Sequence, residues 1–433
     1  MSSHQQKTRR NLADISEADA VISRLAEQAR SAQAVLGRAE TDSRNQALLQ
    51  GAKLIRQNGQ QIEEANHKDI KHGRKAELTD AFIDRLTLTA DRVEAMATGL
   101  EDIARLDDPL GIELARWSRP NGLDISRIST ALGVIGVIYE SRPNVTVDAA
   151  GLSIKSGNAV ILRGGSDSFH TNQILSELMQ HSLTHAGLPK LAVQFVPSPD
   201  RTLVGALLAA SGQIDVIIPR GGKGLVGRVQ KEARVPVFAH LEGICHLYVS
   251  AKADIHKAVD ICLNAKMRRV GICGAAETLL IDQTISGTDM SLIIKKLLDS
   301  GCEVRGSEVI TACDERIVPA TDADWGCEFL APIIAVKTVS GLDEAISHIH
   351  LYGSGHTESI ITEDTSEAEQ FLNEVDSAIV MVNASTQFAD GSEFGMGAEI
   401  GIATGRLHAR GPVGAAQLTS FKYAVRGSGQ TRA

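Results

Sequence analysis

Cys273 stands in the segment Val270-Gly271-Ile272-Cys273-Gly274-Ala275-Ala276-Glu277-Thr278-Leu279, a thiol flanked by Gly271 and Gly274, with small residues after it and Arg268-Arg269 just before. These neighbours suit a nucleophile. Nothing bulky blocks an incoming carbonyl, and nearby positive charge favours the thiolate, the form that attacks. The other cysteines lack that frame: Cys245 and Cys262 lie in apolar runs, and Cys302, Cys313 and Cys327 in turn-like stretches. On local sequence alone, the alternative for Cys273 is the ordinary one for a free cysteine, a small buried hydrophobe.

A second pattern that could carry chemistry is Gly222-Lys223-Gly224-Leu225-Val226-Gly227, which matches G-x-G-x-x-G. It follows a predicted strand ending at Pro219, opens a helical segment, and has Glu242 at the end of the next predicted strand, the context of a dinucleotide-binding turn. The alternative is a glycine-rich helix start that needs no cofactor. Position favours the latter, because at least three predicted strands precede the motif, which normally sits on the first.

The elements that must position these residues follow from periodicity. Val21, Ile22, Leu25, Ala29, Ala32 and Leu36 recur at helical spacing, as do Leu48, Ala52, Ile55, Ile62 and Ala65, so the first hundred residues read as long amphipathic helices. From Gly133 the texture changes to short apolar runs rich in β-branched residues: Val134–Tyr139, Ala159–Leu162, Val193–Val196, Ile214–Ile218 and Val235–Phe238. Helical segments such as Asn172–Ala186 separate most of them, which predicts an α/β fold with a parallel, doubly wound sheet. A second α/β series begins near Leu241 and runs through Ala258–Lys266, Thr278–Ile281 and Ser291–Leu298, placing Cys273 in a second lobe.

Composition removes several function classes. A chain of 433 residues suits two or three domains at roughly 100–200 residues each. Six cysteines without CxxC pairs or Cys/His spacing argue against a disulfide scaffold and a metal site, and reduced thiols point to the cytoplasm. The opening Met1-Ser2-Ser3-His4-Gln5-Gln6-Lys7 has no apolar signal core, and no apolar run approaches the roughly 18 residues of a membrane span. A net charge of −9 with dispersed Lys and Arg argues against nucleic acid.

An ordered series of motifs from about residue 85 to 423 narrows the reading further. It comprises Leu86-Thr87-Leu88-Thr89, Asp108-Pro109-Leu110-Gly111, Tyr139-Glu140-Ser141-Arg142-Pro143-Asn144-Val145-Thr146, Leu162-Arg163-Gly164-Gly165 and Ile218-Pro219-Arg220-Gly221-Gly222. It continues with Tyr352-Gly353-Ser354-Gly355-His356-Thr357-Glu358-Ser359-Ile360, Val382-Asn383-Ala384-Ser385-Thr386, Gly397-Ala398-Glu399-Ile400-Gly401 and Leu407-His408-Ala409-Arg410-Gly411-Pro412. Together these resemble the γ-glutamyl phosphate reductase family of the aldehyde dehydrogenase superfamily. The resemblance implies a Rossmann-like cofactor lobe, an α/β catalytic lobe and a small bridging sheet. It also implies NADPH-dependent reduction of L-glutamyl 5-phosphate to L-glutamate 5-semialdehyde in proline biosynthesis, in the cytoplasm.

Carried over residue by residue, the resemblance makes Cys273 the thiolate that displaces phosphate to form a thioester, a better hydride acceptor than the acyl phosphate. Asn144, with the Cys273 backbone N–H, would stabilise the oxyanion, although an asparagine after Pro143 also suits a helix cap. Aldehyde-oxidising relatives carry Glu-Leu-Gly-Gly, whose glutamate activates water. Here the stretch reads His240-Leu241-Glu242-Gly243, so one register puts His240 at the base position and a slip restores Glu242. Arg163 and Ser166 replace the acidic ribose ligand of NAD users, which favours NADPH; an ordinary surface arginine is the other reading of Arg163. Arg220, Gly221 and Gly222 would form the turn near the pyrophosphate. For the substrate, Arg142, Arg268, Arg269 and Arg410 would meet anions, and Asp390 or Glu393 the ammonium. Three departures from the family bear on substrate affinity: Gln387 for an arginine, Gly274 for an asparagine and Val270 for a proline.

The expected layout is a cofactor domain over residues 1–238, with 115–133 in the bridging sheet, a catalytic domain over 239–400, and a tail over 401–433 that returns to the cofactor lobe. Leu123–Ile128 and Leu418–Tyr423 read as edge strands, which would be hazardous unpaired and so imply a homo-oligomer. No amino-acid kinase pattern precedes the reductase region, so the acyl phosphate would come from a separate glutamate 5-kinase. Beside the reductase stand two other readings, an aldehyde-oxidising relative and a non-catalytic α/β protein whose Cys273 is structural.

Overall fold

The computed structural model describes residues 3–432. The chain divides into two compact α/β units: the first holds residues 1–239, 395–401 and 413–433, the second 240–394 and 402–412. The expected single return after residue 400 is therefore replaced by an excursion of 402–412 into the second unit, where Ile402 and Ala403 pair antiparallel with Pro412 and Gly411. No helix among the described residues is long and apolar enough to cross a membrane.

In the first unit a four-stranded parallel sheet runs in the order Val193–Phe195, Ala159–Gly164, Val134–Tyr139, Val216–Arg220. Every residue of the two central strands is buried, which is why they read as unbroken apolar runs rather than alternating ones. The fifth expected strand, Val235–Phe238, is reduced to a single bridge between Ile217 and Val237, since Pro236 has no N–H to extend the ladder. The helix Asn144–Lys155 is anchored at its far end: Arg44 donates to the Lys155 carbonyl (2.8 Å), and Lys155 Nζ donates to Ala104 O (3.0 Å) and Asn45 Oδ1 (2.8 Å). Asp69 accepts from the N–H groups of His170 and Thr171, satisfying the start of the helix Phe169–His185.

A separate three-stranded antiparallel sheet in this unit has the order Glu113–Ser118, Asp124–Ala131, Thr419–Arg426. Asp124–Ala131 is thus central, not the edge strand expected from Leu123–Ile128. Both neighbours hydrogen-bond to it, and weak alternation reflects exposure of both sheet faces rather than a missing partner.

The second unit is built on a seven-stranded parallel sheet, ordered Val318–Pro319, Glu303–Gly306, Ile333–Val339, Ala276–Asp282, Cys245–Val249, Thr357–Ile361, Ile379–Val382. Helices Ile255–Met267 and Gly287–Asp299 pack Ala258, Cys262, Ile293 and Leu297 onto Leu247, Leu279 and Ile281. Cys262 is part of that core, and its thiol is pushed up by burial to about 12, as expected of an inert cysteine.

Candidate active site

Cys273 lies in the loop between the helix Ile255–Met267 and the strand Ala276–Asp282. The loop is held from several directions. Gln387 donates from Nε2 to the carbonyls of Ala265 (2.9 Å) and Arg269 (3.2 Å), closing the helix end, and Cys245 Sγ donates to the Cys273 carbonyl (3.1 Å). The glutamine that departs from the family pattern is therefore buried against the loop that carries Cys273. Gly274 fits against the Thr386 carbonyl, 3.1 Å from where a Cβ would stand.

Gly243 packs backbone to backbone against the cysteine. A Cβ there would lie 2.1 Å from the Cys273 carbonyl oxygen and 2.6 Å from its Cα, contacts that no rotamer can relieve. Gly243→Ala is therefore expected to cost about 1–3 kcal/mol through overpacking and to slow Cys273 alkylation. A thermal melt and an iodoacetamide rate on the same sample check both, and an unchanged labelling rate would show that the loop tolerates the displacement.

Two histidines converge on the thiol. The ligand atoms of His240, Cys273 and His356 all lie within 4.8 Å of one another, and the imidazoles meet edge to face with centroids 5.0 Å apart. His240 Nδ1 sits 2.7 Å from the Ile402 carbonyl, and His356 Nδ1 sits 2.8 Å from Thr357 Oγ1. Buried His356 Nε2 has no hydrogen-bond partner outside this cluster among the described residues. The strands carrying these groups are tied by a buried pair, with Glu358 Oε2 accepting from the His246 N–H (2.8 Å) and lying 3.0 Å from its Nδ1.

The Cys273 thiol is held well below its ordinary value. Burial is the largest influence and pushes it up, but the charge of His356, a hydrogen bond from His240, and the corresponding His356 bond and His240 charge together outweigh it. Arg268 and Arg269 are exposed, so the positive charge expected from them is supplied instead by histidines. Cys245, fully buried, moves the opposite way and remains a thiol. His356→Ala is expected to raise the Cys273 midpoint by about 1–3 pH units, because an opposite charge is lost while burial stays. The pH profile of iodoacetamide labelling measures it, and an unmoved profile would assign the depression to His240 alone.

In the first unit, Asn144 is the first residue of its helix, with Pro143 at the cap position and no side-chain cap bond. Its exposed amide donates to Asp148 Oδ2 (2.9 Å), so the helix-cap alternative fails: the side chain bonds forward along the helix. Burial pushes the Asp148 carboxyl up to about 6, opposed by the Asn144 amide and the Arg220 charge. Arg163 is only 6% exposed, which rules out the surface reading; its guanidinium donates to the carbonyls of Gly164, Pro199 (2.8 Å) and Asp200 (3.3 Å). Ser166 is exposed beside it. Gly222 stands at the N-terminus of the helix Lys223–Glu232, where a Cβ on Gly222 or Gly224 would meet nothing within 4 Å, whereas one on Gly221 would collide with Glu140 and Leu225. At this helix start the Gly222 N–H donates to Glu140 Oε2 (3.3 Å).

The substrate residues are dispersed. Arg410 is paired with Asp376, donating to Oδ1 (2.5 Å) and to the backbone carbonyl (2.8 Å). Asp390 is exposed and accepts from the Ser392 N–H (2.9 Å). Glu393 lines a cavity of about 590 Å³ with Met381, Phe388 and Phe394. Arg142 is half-buried ahead of Pro143 and follows Ser141, whose φ of 51° marks a tight turn. His356 was quoted in the sequence only as part of a motif. Its signal was a lone imidazole between Gly355 and the apolar strand Thr357–Ile361, and its partner is far away in the chain.

The aldehyde dehydrogenase family model matches residues 1–299 and 318–401. A γ-glutamyl phosphate reductase from Paramagnetospirillum magneticum is 56% identical over 414 residues, covering 96% of this chain and 98% of its own. One from Parvibaculum lavamentivorans is 55% identical over 421 residues, covering 97% and 99%. The crystal structure of the γ-glutamyl phosphate reductase of Thermotoga maritima superposes with a TM-score of 0.92 at 42% identity, covering 95% of this chain and 99% of that one. A family model that matches most of the chain and relatives more than half identical over nearly their whole length lead to one assignment: the chain belongs to the aldehyde dehydrogenase family of oxidoreductases, among its γ-glutamyl phosphate reductases.

Proposed function

We propose that the chain reduces L-glutamyl 5-phosphate to L-glutamate 5-semialdehyde and phosphate, with NADPH as reductant, as the second step of proline biosynthesis from glutamate. The observation that carries this reading is the convergence of His240 and His356 on the Cys273 thiol, which holds it well below its ordinary value. Cys273 Sγ attacks the 5-carbonyl carbon, forming the S–C bond while the carbonyl electron pair moves to oxygen. That pair then returns and breaks the C–O bond to phosphate, leaving a thioester. In this reading Asn144 and the Cys273 N–H hold the developing oxyanion. When bound, NADPH supplies the hydride that reduces the thioester carbon. The second tetrahedral species expels Cys273 as the thiolate, which the two imidazoles are placed to receive.

In this reading the group beside Cys273 is His240, whose Nδ1 lies 2.7 Å from the Ile402 carbonyl and which hydrogen-bonds the sulfur, in the place where aldehyde-oxidising enzymes carry a glutamate that activates water. The turn at Arg220, Gly221 and Gly222 would then meet the pyrophosphate, with the Glu140 carboxylate giving up the Gly222 N–H, and Arg163 and Ser166 would lie on the 2′-phosphate side. Here Arg163 acts mainly by fixing the Pro199–Asp200 turn with its charge alongside. Exposed Leu114, Trp117, Phe421, Tyr423 and Val425 on the three-stranded sheet, with both edges open, support a homo-oligomer. The labile substrate would come from a separate glutamate 5-kinase.

The test runs the reaction backwards with NADP⁺, glutamate semialdehyde and phosphate. Phosphate-dependent formation of NADPH is expected. Formation without phosphate would assign aldehyde oxidation, and none at all would leave Cys273 without a catalytic role.

A further inference from the structure

We propose that His240, Cys273 and His356 form a zinc site, through which Zn²⁺ reversibly blocks the nucleophile. The donor set is one thiolate and two imidazoles, the combination that Zn²⁺ prefers and that Mg²⁺ and Ca²⁺ avoid. All three ligand atoms lie within 4.8 Å of one another, and tetrahedral zinc needs them about 3.3–3.7 Å apart, a contraction within reach of side-chain rotation. Each histidine also has the outer contact of a zinc ligand: Nδ1 faces an oxygen, the Ile402 carbonyl at 2.7 Å for His240 and Thr357 Oγ1 at 2.8 Å for His356, so that Nε2 would be the nitrogen that exchanges its contact with the sulfur for the metal. His356 Nε2 is buried and bonds to no group outside this cluster among the described residues. Three protein ligands leave the fourth position to water or substrate.

Binding takes the sulfur lone pair that would attack the acyl carbon and releases to solvent whatever protons the imidazoles carry. The site should therefore bind more weakly at acid pH. That zinc would stop turnover rests on the proposed nucleophilic role of Cys273; that zinc binds there does not.

The experiment uses the full chain after chelator treatment. Zn²⁺ is titrated against a chromophoric chelator, Co²⁺ is added to read a thiolate-to-metal absorption band, and Cys273 alkylation and turnover are followed with and without EDTA. The expected results are a dissociation constant of about 1 µM or tighter, a cobalt–thiolate band, protection of Cys273 from alkylation reversed by EDTA, and no effect of Mg²⁺. His356→Ala and His240→Ala should each weaken binding at least tenfold, and Cys273→Ser, close in size to the native residue, should abolish the band. Absence of the band in the native chain, or unchanged affinity in Cys273→Ser, would overturn the site. Tight binding at Cys273 with undiminished turnover would keep the site and remove Cys273 as nucleophile.

Discussion

Cys273→Ser is expected to reduce turnover to below about one thousandth of the native rate while leaving NADPH binding unchanged. The histidines hold the Cys273 thiol well below its ordinary value, but they cannot do the same for a serine hydroxyl, whose intrinsic acidity is many orders of magnitude weaker. The loss should fall on kcat, because covalent attack stabilises the transition state and adds nothing to uniform binding. The substitution keeps the side-chain size, so the packing of Gly243 against the cysteine backbone is undisturbed. Single-turnover hydride transfer and a cofactor-binding titration on one preparation measure the two quantities. Retention of more than roughly a few per cent of turnover would transfer the nucleophile elsewhere.

Asn144→Ala is expected to lower kcat by roughly 10²–10³ with little change in NADPH affinity, since an oxyanion donor acts as charge develops on the carbonyl oxygen. A cap residue would behave differently, losing about 1 kcal/mol of stability with normal turnover per folded molecule. The exposed amide makes no cap bond, so the second outcome is not expected. It does bond to Asp148, and that gives a second readout. The Asp148 carboxyl sits at about 6 in the folded protein, above its unfolded value, so its contribution to stability is complete below about pH 4 and is lost as pH rises through 6. Removing the Asn144 amide removes a pull downward, so the variant should lose stability more steeply over that window. Melting temperature followed from pH 4 to 7 tests this, and a profile parallel to the native one would mean that the Asn144–Asp148 bond is absent in solution.

Much of the scaffold could be read from the chain because its physics is local. Val134–Tyr139 and Ala159–Gly164 are buried on both faces, so their runs of Val, Ile and Leu marked them as central parallel strands. Cys273 is set apart from the other five cysteines by residues beside it in the chain, Gly271 and Gly274, which sequence alone displays. What periodicity could not show was pairing. Asp124–Ala131 was mistaken for an edge because its partner strand Thr419–Arg426 lies near the other end of the chain. The same applies to the thiol, whose activation was credited to adjacent Arg268 and Arg269 but comes from His240 and His356, one before and one far after it. Gln387 looked like a loss of substrate affinity until its amide was seen to close the helix that ends beside Cys273.

The second unit is continuous from His240 to Phe394, whereas the first is interrupted by it and resumes only with Gly395–Gly401 and Val413–Ala433. On the ribosome this fixes an order of events. Asp124–Ala131 emerges early but must wait for Thr419–Arg426 to cover its second edge, so the three-stranded sheet is completed only by the final strand of the chain. During that interval the nascent first unit carries an open edge rich in hydrogen-bonding groups, while the seven-stranded sheet can already close. A chain stalled or truncated before residue 419 should therefore retain a folded second unit and aggregate through the first.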